Sequence, residues 1–264
     1  MSGATILESV SATGRDRFGA GPTTLRLRPA GPGTGIVFNR SIRSCLSAAC
    51  VHKHATGLSR GRQSVRMVEH LLATCYALGV TDLAVETSNA ELPLFDGSAL
   101  PYVRLLHKAG VVRYEAGPEP ARLKQPVRVR DRERFIAAVP AQALRISCLV
   151  CLPGLGPQFH SVCITPESFG PDLAGARTFV RTRAGAAAVQ RRTGLRFALK
   201  RIGGLVYPAR RRYPDEPCRH KILDIMGDLA LLGRPVTAEL FAFMPGHTLN
   251  LKLAAAIERQ LEER

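Results

Sequence analysis

Arg219-His220-Lys221-Ile222-Leu223-Asp224-Ile225-Met226-Gly227-Asp228-Leu229 is the stretch on which the reading of this chain turns. Residues four apart on an α-helix share one face, a turn from each other, so His220, Asp224 and Asp228 form a polar ridge. Ile222, Leu223, Ile225, Leu229, Leu231 and Leu232 supply the apolar flank of a half-buried helix. An imidazole and a carboxylate at this spacing can bind one metal ion. Taken alone, though, His-x-x-x-Asp is more often a surface or N-cap pairing.

A second segment adds weight. Residues 65–75, Val65-Arg66-Met67-Val68-Glu69-His70-Leu71-Leu72-Ala73-Thr74-Cys75, also read as a helix, with a Glu beside a His in an apolar run. Such a pair is costly there unless it is partnered or bound to something. Further on, His247 follows the apolar residues 240–244 in a Pro245-Gly246 turn. A catalytic zinc site needs three protein ligands, an open position, and a carboxylate outside the metal shell to accept a proton. These histidines and acids are of the right types.

The two helical segments also resemble each other. Glu69-His70-Leu71-Leu72 leads through Gly79-Val80 to Leu83-Ala84-Val85-Glu86, and Arg219-His220-Lys221-Ile222 leads through Gly233 to Ala238-Glu239-Leu240. Each reads as a helix, a glycine stop and a strand, which points to a duplicated unit giving one histidine from each copy. Glu115-Ala116-Gly117-Pro118-Glu119-Pro120 interrupts all periodicity between them and reads as a linker. The expected domains are residues 1–116 and 117–264, the second carrying a basic insert at about 181–214.

Composition fits one large or two small domains in 264 residues. Lys and Arg number 37 against 21 Asp and Glu, a formal charge of +16, and residues 181–212 hold ten of those cations and no acid. Such surfaces attract phosphates, whether on a sugar nucleotide, an anionic membrane or nucleic acid. A GC-rich genome would also enrich Arg and Ala without any function. The lack of Trp, the few aromatics and the lack of a recognised binding motif disfavour nucleic acid. There is no run of 18 apolar residues and no basic-then-apolar leader, so a cytoplasmic location is expected.

Seven cysteines without regular spacing suit reduced thiols. Cys148-x-x-Cys151, in the strand-like run 144–152, reads as core packing. Cys45, Cys50, His52 and His54 cluster more tightly, at a spacing poor for a zinc finger.

Five stretches resemble the UDP-3-O-acyl-N-acetylglucosamine deacetylases, zinc amidases of lipid A biosynthesis. They are Val68-Glu69-His70-Leu71-Leu72-Ala73, Glu91-Leu92-Pro93-Leu94-Phe95-Asp96-Gly97-Ser98, Ala176-Arg177-Thr178-Phe179, Asp215-Glu216 with residues 219–229, and Gly246-His247-Thr248-Leu249-Asn250. A weaker match joins Arg28-Pro29-Ala30 to residues 35–40. The order and approximate spacing agree over roughly residues 24–255.

The resemblance implies an α+β fold of two related two-layer domains, helices on mixed and antiparallel sheets, with zinc between them. It implies a Zn2+ site, with Fe2+ as the alternative ion, held by His70, His220 and Asp224. Glu69 would be the general base, and the Thr178 hydroxyl would stabilise the oxyanion. His247, kept cationic by Asp228, would stabilise developing charge and protonate the leaving amine. Lys221 would bind substrate oxygens, and Phe179 would pack on the sugar or nucleotide of a UDP-amino sugar. Plainer readings are a capping role for Thr178, a solvated Lys221, and a turn at Asp96-Gly97.

Two departures bear on substrate. The family's early Gly-x-Gly-Leu-His-Ser-Gly loop corresponds here to Gly14-Arg15-Asp16-Arg17-Phe18-Gly19, without a His. A glycine-rich motif before the second helix is replaced by Arg201-Ile202-Gly203-Gly204-Leu205-Val206-Tyr207, in the insert that borders the family's acyl passage. A diverged paralogue acting on another N-acetylated or N-acylated anionic molecule is therefore the alternative expectation.

Overall fold

The computed structural model describes residues 2–17, 21–52 and 54–262. Phe18 and Gly19 of the early loop lie outside them. Six α-helices are described: α1 (Glu69–Leu78), α2 (Leu100–Ala109), α3 (Pro166–Phe169), α4 (Ala186–Thr193), α5 (Glu216–Leu229) and α6 (His247–Glu262).

The chain is α+β, and its two halves repeat one topology. In the first, five strands stand in the order Val10–Arg15, Pro22–Pro29, Leu83–Thr87, Ile36–Phe38, Ile42–Arg43. In the second, the order is Val127–Asp131, Arg134–Pro140, Val236–Phe243, Arg145–Leu152, Gly156–Cys163. The central strand of each sheet is antiparallel to its hairpin neighbour and parallel to the strand on its other side. A helix precedes each central strand (α1, α5) and another follows it (α2, α6). The duplication expected from the helix–glycine–strand pattern is therefore present across whole sheets. Residues 115–120 carry no regular structure between the two units.

The glycine stops fall where expected. Gly79 ends α1 with φ +72°, and Gly233 ends the 3-10 turn after α5 with φ +67°. Both conformations belong to the left-handed region, where a Cβ is strained.

Each half carries an insert before its first-named helix. Ala49–His52, Ala55–Arg60 and Gln63–Arg66 form a three-stranded sheet ahead of α1. Val180–Arg181, Leu199–Ile202 and Leu205–Pro208 form another, with α4, ahead of α5. The helix expected over residues 65–75 thus begins only at Glu69. Val65 and Arg66 are claimed by backbone pairing with Leu58 and Gly57, and Met67, at φ +61°, turns the chain into the helix.

Each sheet buries one face against helices. Leu25, Leu27, Val85 and Phe38 of the first sheet meet Leu71, Leu72 and Tyr102, while Ile136, Leu240, Ile146 and Val150 of the second meet Ile222, Ile225 and Leu253. The core reading of Cys148-x-x-Cys151 holds for one residue only. Cys148 is buried, but three steps along a strand reverse the face, and Cys151 is exposed. Among the described residues no helix is long and apolar enough to cross a membrane.

Candidate metal-dependent active site

The two halves meet through α1 and α5, which pack against each other. Gly227 stands at the crossing, where a Cβ would meet the Glu69 carbonyl oxygen at 2.2 Å. This close approach sets the first turn of α1, with Glu69 and His70, beside the ridge His220, Asp224, Asp228 of α5. All five side chains are buried.

His70, His220 and Asp224 offer ligand atoms that lie within 4.8 Å of one another. Among the described residues this is the one such cluster, so Cys45, Cys50, His52 and His54 do not make a second. The two imidazoles stand edge to face, ring centroids 5.0 Å apart. His220 Nδ1–H donates to the Ala176 carbonyl at 2.9 Å, which leaves Nε2 unprotonated and 3.5 Å from Asp224 Oδ1.

That carbonyl is itself held firmly. Arg177 donates from its backbone and guanidinium to the buried Glu216 carboxylate, at 3.0 and 2.7 Å. Thr178 N–H donates to the Gly97 carbonyl at 2.7 Å, tying the segment to the other half. The Asp96-Gly97 turn does more than reverse the chain: Asp96 accepts from Ser98 and pairs with Arg212 at 2.7 Å.

Charge states follow from these surroundings. Burial pushes the His70 pKa down to about 3, helped by the His220 imidazole, and burial also lowers His220. Both rings are therefore neutral with lone pairs available. Burial alone would raise Asp224, but Lys221 and the neighbouring histidines outweigh it and hold the carboxyl well below its usual range. Lys221 Nζ donates to Asp224 Oδ2 at 2.9 Å, so it is engaged rather than freely solvated. Two neutral imidazoles and one carboxylate on rigid helices suit a divalent transition ion.

A second group lies beside the first. His247, at the start of α6, points Nε2 to within 3.9 Å of Glu69 Oε1 and 4.0 Å of Asp224 Oδ2. Its Nδ1–H donates to Asp228 Oδ2 at 2.9 Å, and Asn250 Nδ2 donates to the same oxygen at 2.8 Å. Burial works against charge on this ring, yet Asp228 and Asp224 together lift its pKa to about 9. Glu69 moves the other way from most surface acids. Desolvation outweighs the His247 cation and raises its carboxyl to about 7.

Thr56 was invisible to sequence reasoning. It lies in the insert strand Ala55–Arg60, where its hydroxyl donates to Asp228 Oδ1 and its backbone N–H donates to Glu69 Oε2 at 3.2 Å. It thereby links both acids. A lone Thr in Ala55-Thr56-Gly57 carries no spacing signal. Asn250 falls in the Gly246–Asn250 stretch, where the sequence offers no partner for its amide.

These residues border a cavity of about 750 Å3. Thr178, Phe179, Glu69, Lys221 and His247 line it, with Lys221 Nζ 5.3 Å above the Phe179 ring and that ring 6.3 Å from His220. The basic insert supplies an apolar wall, Val189, Leu195, Leu199, Leu205 and Val206, and Arg17, Arg181 and Arg192 bring positive charge.

Residues 3–259 match the family described as LpxC, UDP-3-O-acyl N-acetylglycosamine deacetylase. The chain is 33% identical to the UDP-3-O-acyl-N-acetylglucosamine deacetylase of Solibacter usitatus (strain Ellin6076), over 96% of this chain and 90% of that protein. It is 35% identical to the enzyme of that name from Chlamydia abortus (strain DSM 27085 / S26/3), over 90% of each. With the Chlamydia pneumoniae enzyme the identity is 34%, over 91% of each. Matched over residues 3–259 in this way, with its duplicated fold and its His-His-Asp cluster, the chain belongs to the metal-dependent UDP-3-O-acyl-N-acetylglucosamine deacetylase family.

Proposed function

We propose that this protein hydrolyses the acetamide of a UDP-3-O-acyl-N-acetylglucosamine, releasing acetate and a free sugar amine for lipid A biosynthesis. The observation that carries the reading is the meeting of His70, His220 and Asp224 with Glu69 and His247 beside one cavity, in a chain of this family.

Zinc is the ion proposed for the His70–His220–Asp224 cluster, with ferrous iron as the alternative; bound there, it would supply the Lewis acidity that polarises the acetamide carbonyl. The protein's own groups carry the protons. Glu69, with a pKa of about 7, is substantially ionised near neutrality and takes the proton of the attacking water as general base. His247, held as a cation by Asp228, stabilises the developing negative charge and then protonates the departing amine from Nε2. The Thr178 hydroxyl donates to the oxyanion. Lys221 binds substrate oxygens, and the Phe179 ring packs against the sugar or nucleotide.

The apolar wall from the insert supports the acylated substrate over the paralogue reading. A water-soluble amino sugar without an acyl chain has nothing to bury against Val189, Leu195 and Leu199. The proposed setting is the cytoplasm, with the repeat boundary between residues 116 and 117. The decisive assay measures acetate release by the zinc-loaded protein from the acylated UDP sugar and from UDP-N-acetylglucosamine. Turnover of the first substrate alone is expected. Equal turnover of both would favour the paralogue, and no acetate from either would end the proposal.

A further inference from the structure

The duplicated sheets are alike in topology but opposite on their outward faces. On the first sheet that face carries Ser11, Thr13, Thr24, Arg26 and Glu86, the polar dress of a sheet side that meets water. On the second sheet the cross-strand register places Phe135 opposite Phe243, Phe243 beside Leu149, and Leu149 opposite Phe159, one row over four strands. Phe241 lies one step along on the same face. The Phe135 and Phe243 rings are 6.1 Å apart, and Phe159 and Phe241 are 62% and 42% exposed. Among the described residues the helices packed on this sheet, α5 and α6, lie on its other face. An aromatic face of this kind on a soluble sheet marks a surface that meets a partner.

Charge decides which partner. Arg130 stands directly opposite Phe135, and Arg128 lies 5.3 Å from the centre of that ring, both exposed at the edge strand. Arg145 flanks the far end, with Glu239 beside it. A second copy would set like-charged rims together in a chain of formal charge +16. An anionic surface instead meets both elements at once, attracting the arginines while the phenyl rings enter its apolar layer. Position agrees: Arg134 precedes Phe135 and Met244 follows Phe243, and both line the candidate active-site cavity.

The structure assigns the outward face of the second sheet, centred on Phe159 and Phe241 and rimmed by Arg128 and Arg130, as a docking surface for an anionic lipid bilayer. This rests on exposure, register and charge, and it stands whichever amide the site hydrolyses.

The test is co-sedimentation of the full chain with vesicles of phosphatidylcholine alone and with a minor fraction of phosphatidylglycerol. Binding is expected to the second only, and to weaken as salt rises. The double variant Phe159→Thr/Phe241→Thr, which copies the outward threonines of the sister sheet, should bind about tenfold or more weakly. Arg128→Gln/Arg130→Gln, at exposed positions, should also weaken binding and flatten its salt dependence. Acetate release in detergent-free solution should stay at the parent level in both. Equal vesicle binding by all three proteins would overturn the assignment. So would a dimer in lipid-free solution that the phenylalanine variant converts to monomer, because the face would then belong to a second copy.

Discussion

Gly227 of α5 and Glu69 of α1 touch backbone to backbone: a Cβ at Gly227 would sit 2.2 Å from the Glu69 carbonyl oxygen. The proposed general base is therefore positioned by the absence of a side chain in the other half of the protein. Helix propensity favours Ala over Gly by about 1 kcal/mol, but the contact reverses the sign here.

Gly227→Ala should force the helices apart and destabilise the protein by about 1–3 kcal/mol, the usual range for overpacking. Turnover should fall with it, since His70 and Glu69 ride on the displaced turn. Chemical denaturation with a parallel rate assay measures both, and a variant as stable and active as the parent would refute the contact's importance.

Glu69→Gln keeps the size of the side chain and removes its basicity. Metal content should remain, because the clustered ligand atoms belong to His70, His220 and Asp224. Turnover should fall by about 10²–10⁴-fold, the range for a lost general base. Elemental analysis alongside acetate release separates the two effects, and unchanged turnover would remove Glu69 from the mechanism.

The pH dependence of kcat/KM should be bell-shaped. A base with a pKa of about 7 is protonated and idle below that pH, so activity rises through it. An acid with a pKa of about 9 loses its proton above that pH, so activity falls through it. In His247→Gln the falling limb near 9 should vanish while the rising limb stays. A profile with both limbs intact would exclude His247 as the acid.

Chelation should abolish activity and zinc should restore it. His220→Ala and Asp224→Ala should each lower metal affinity measured by equilibrium dialysis, whereas Glu69→Gln should not. Binding to the folded state should also raise the unfolding temperature, with about 2.7 kcal/mol gained at a metal concentration a hundred times Kd. Equal zinc affinity in parent and Asp224→Ala would remove that carboxylate from the ligand set.

Thr56→Val deletes the hydroxyl that donates to Asp228 but leaves the backbone bond to Glu69. One buried carboxylate oxygen then loses a donor, a loss of about 1–3 kcal/mol. Thermal unfolding should show it, and Thr56→Ser should recover most of it. A valine variant as stable as the parent would show that the hydroxyl bond contributes little.

Much of the site was legible because helices repeat every 3.6 residues. That period alone put His220, Asp224 and Asp228 on one ridge, and the adjacency of Glu69 and His70 in an apolar run marked a pair that needs a partner. The start of α1 at Glu69 is not legible in the sequence, because Val65 and Arg66 are apolar or long enough to pass for helix. What withdraws them is hydrogen bonding to Leu58 and Gly57, a pairing that leaves no local pattern.

The sequence by itself determined the two site helices with their glycine stops, the duplication and the chemical types at the site, since these depend on short-range periodicity and on glycine's freedom at Gly79 and Gly233. Only the tertiary structure decided that Thr56 joins two acids, that Ala176 sets the His220 tautomer, and that one of two sister sheets turns its phenylalanines outward. Those outcomes depend on contacts between residues far apart in the chain, such as Thr56 and Asp228 at a sequence separation of 172. Such contacts come from packing in three dimensions, and no window along one dimension contains them.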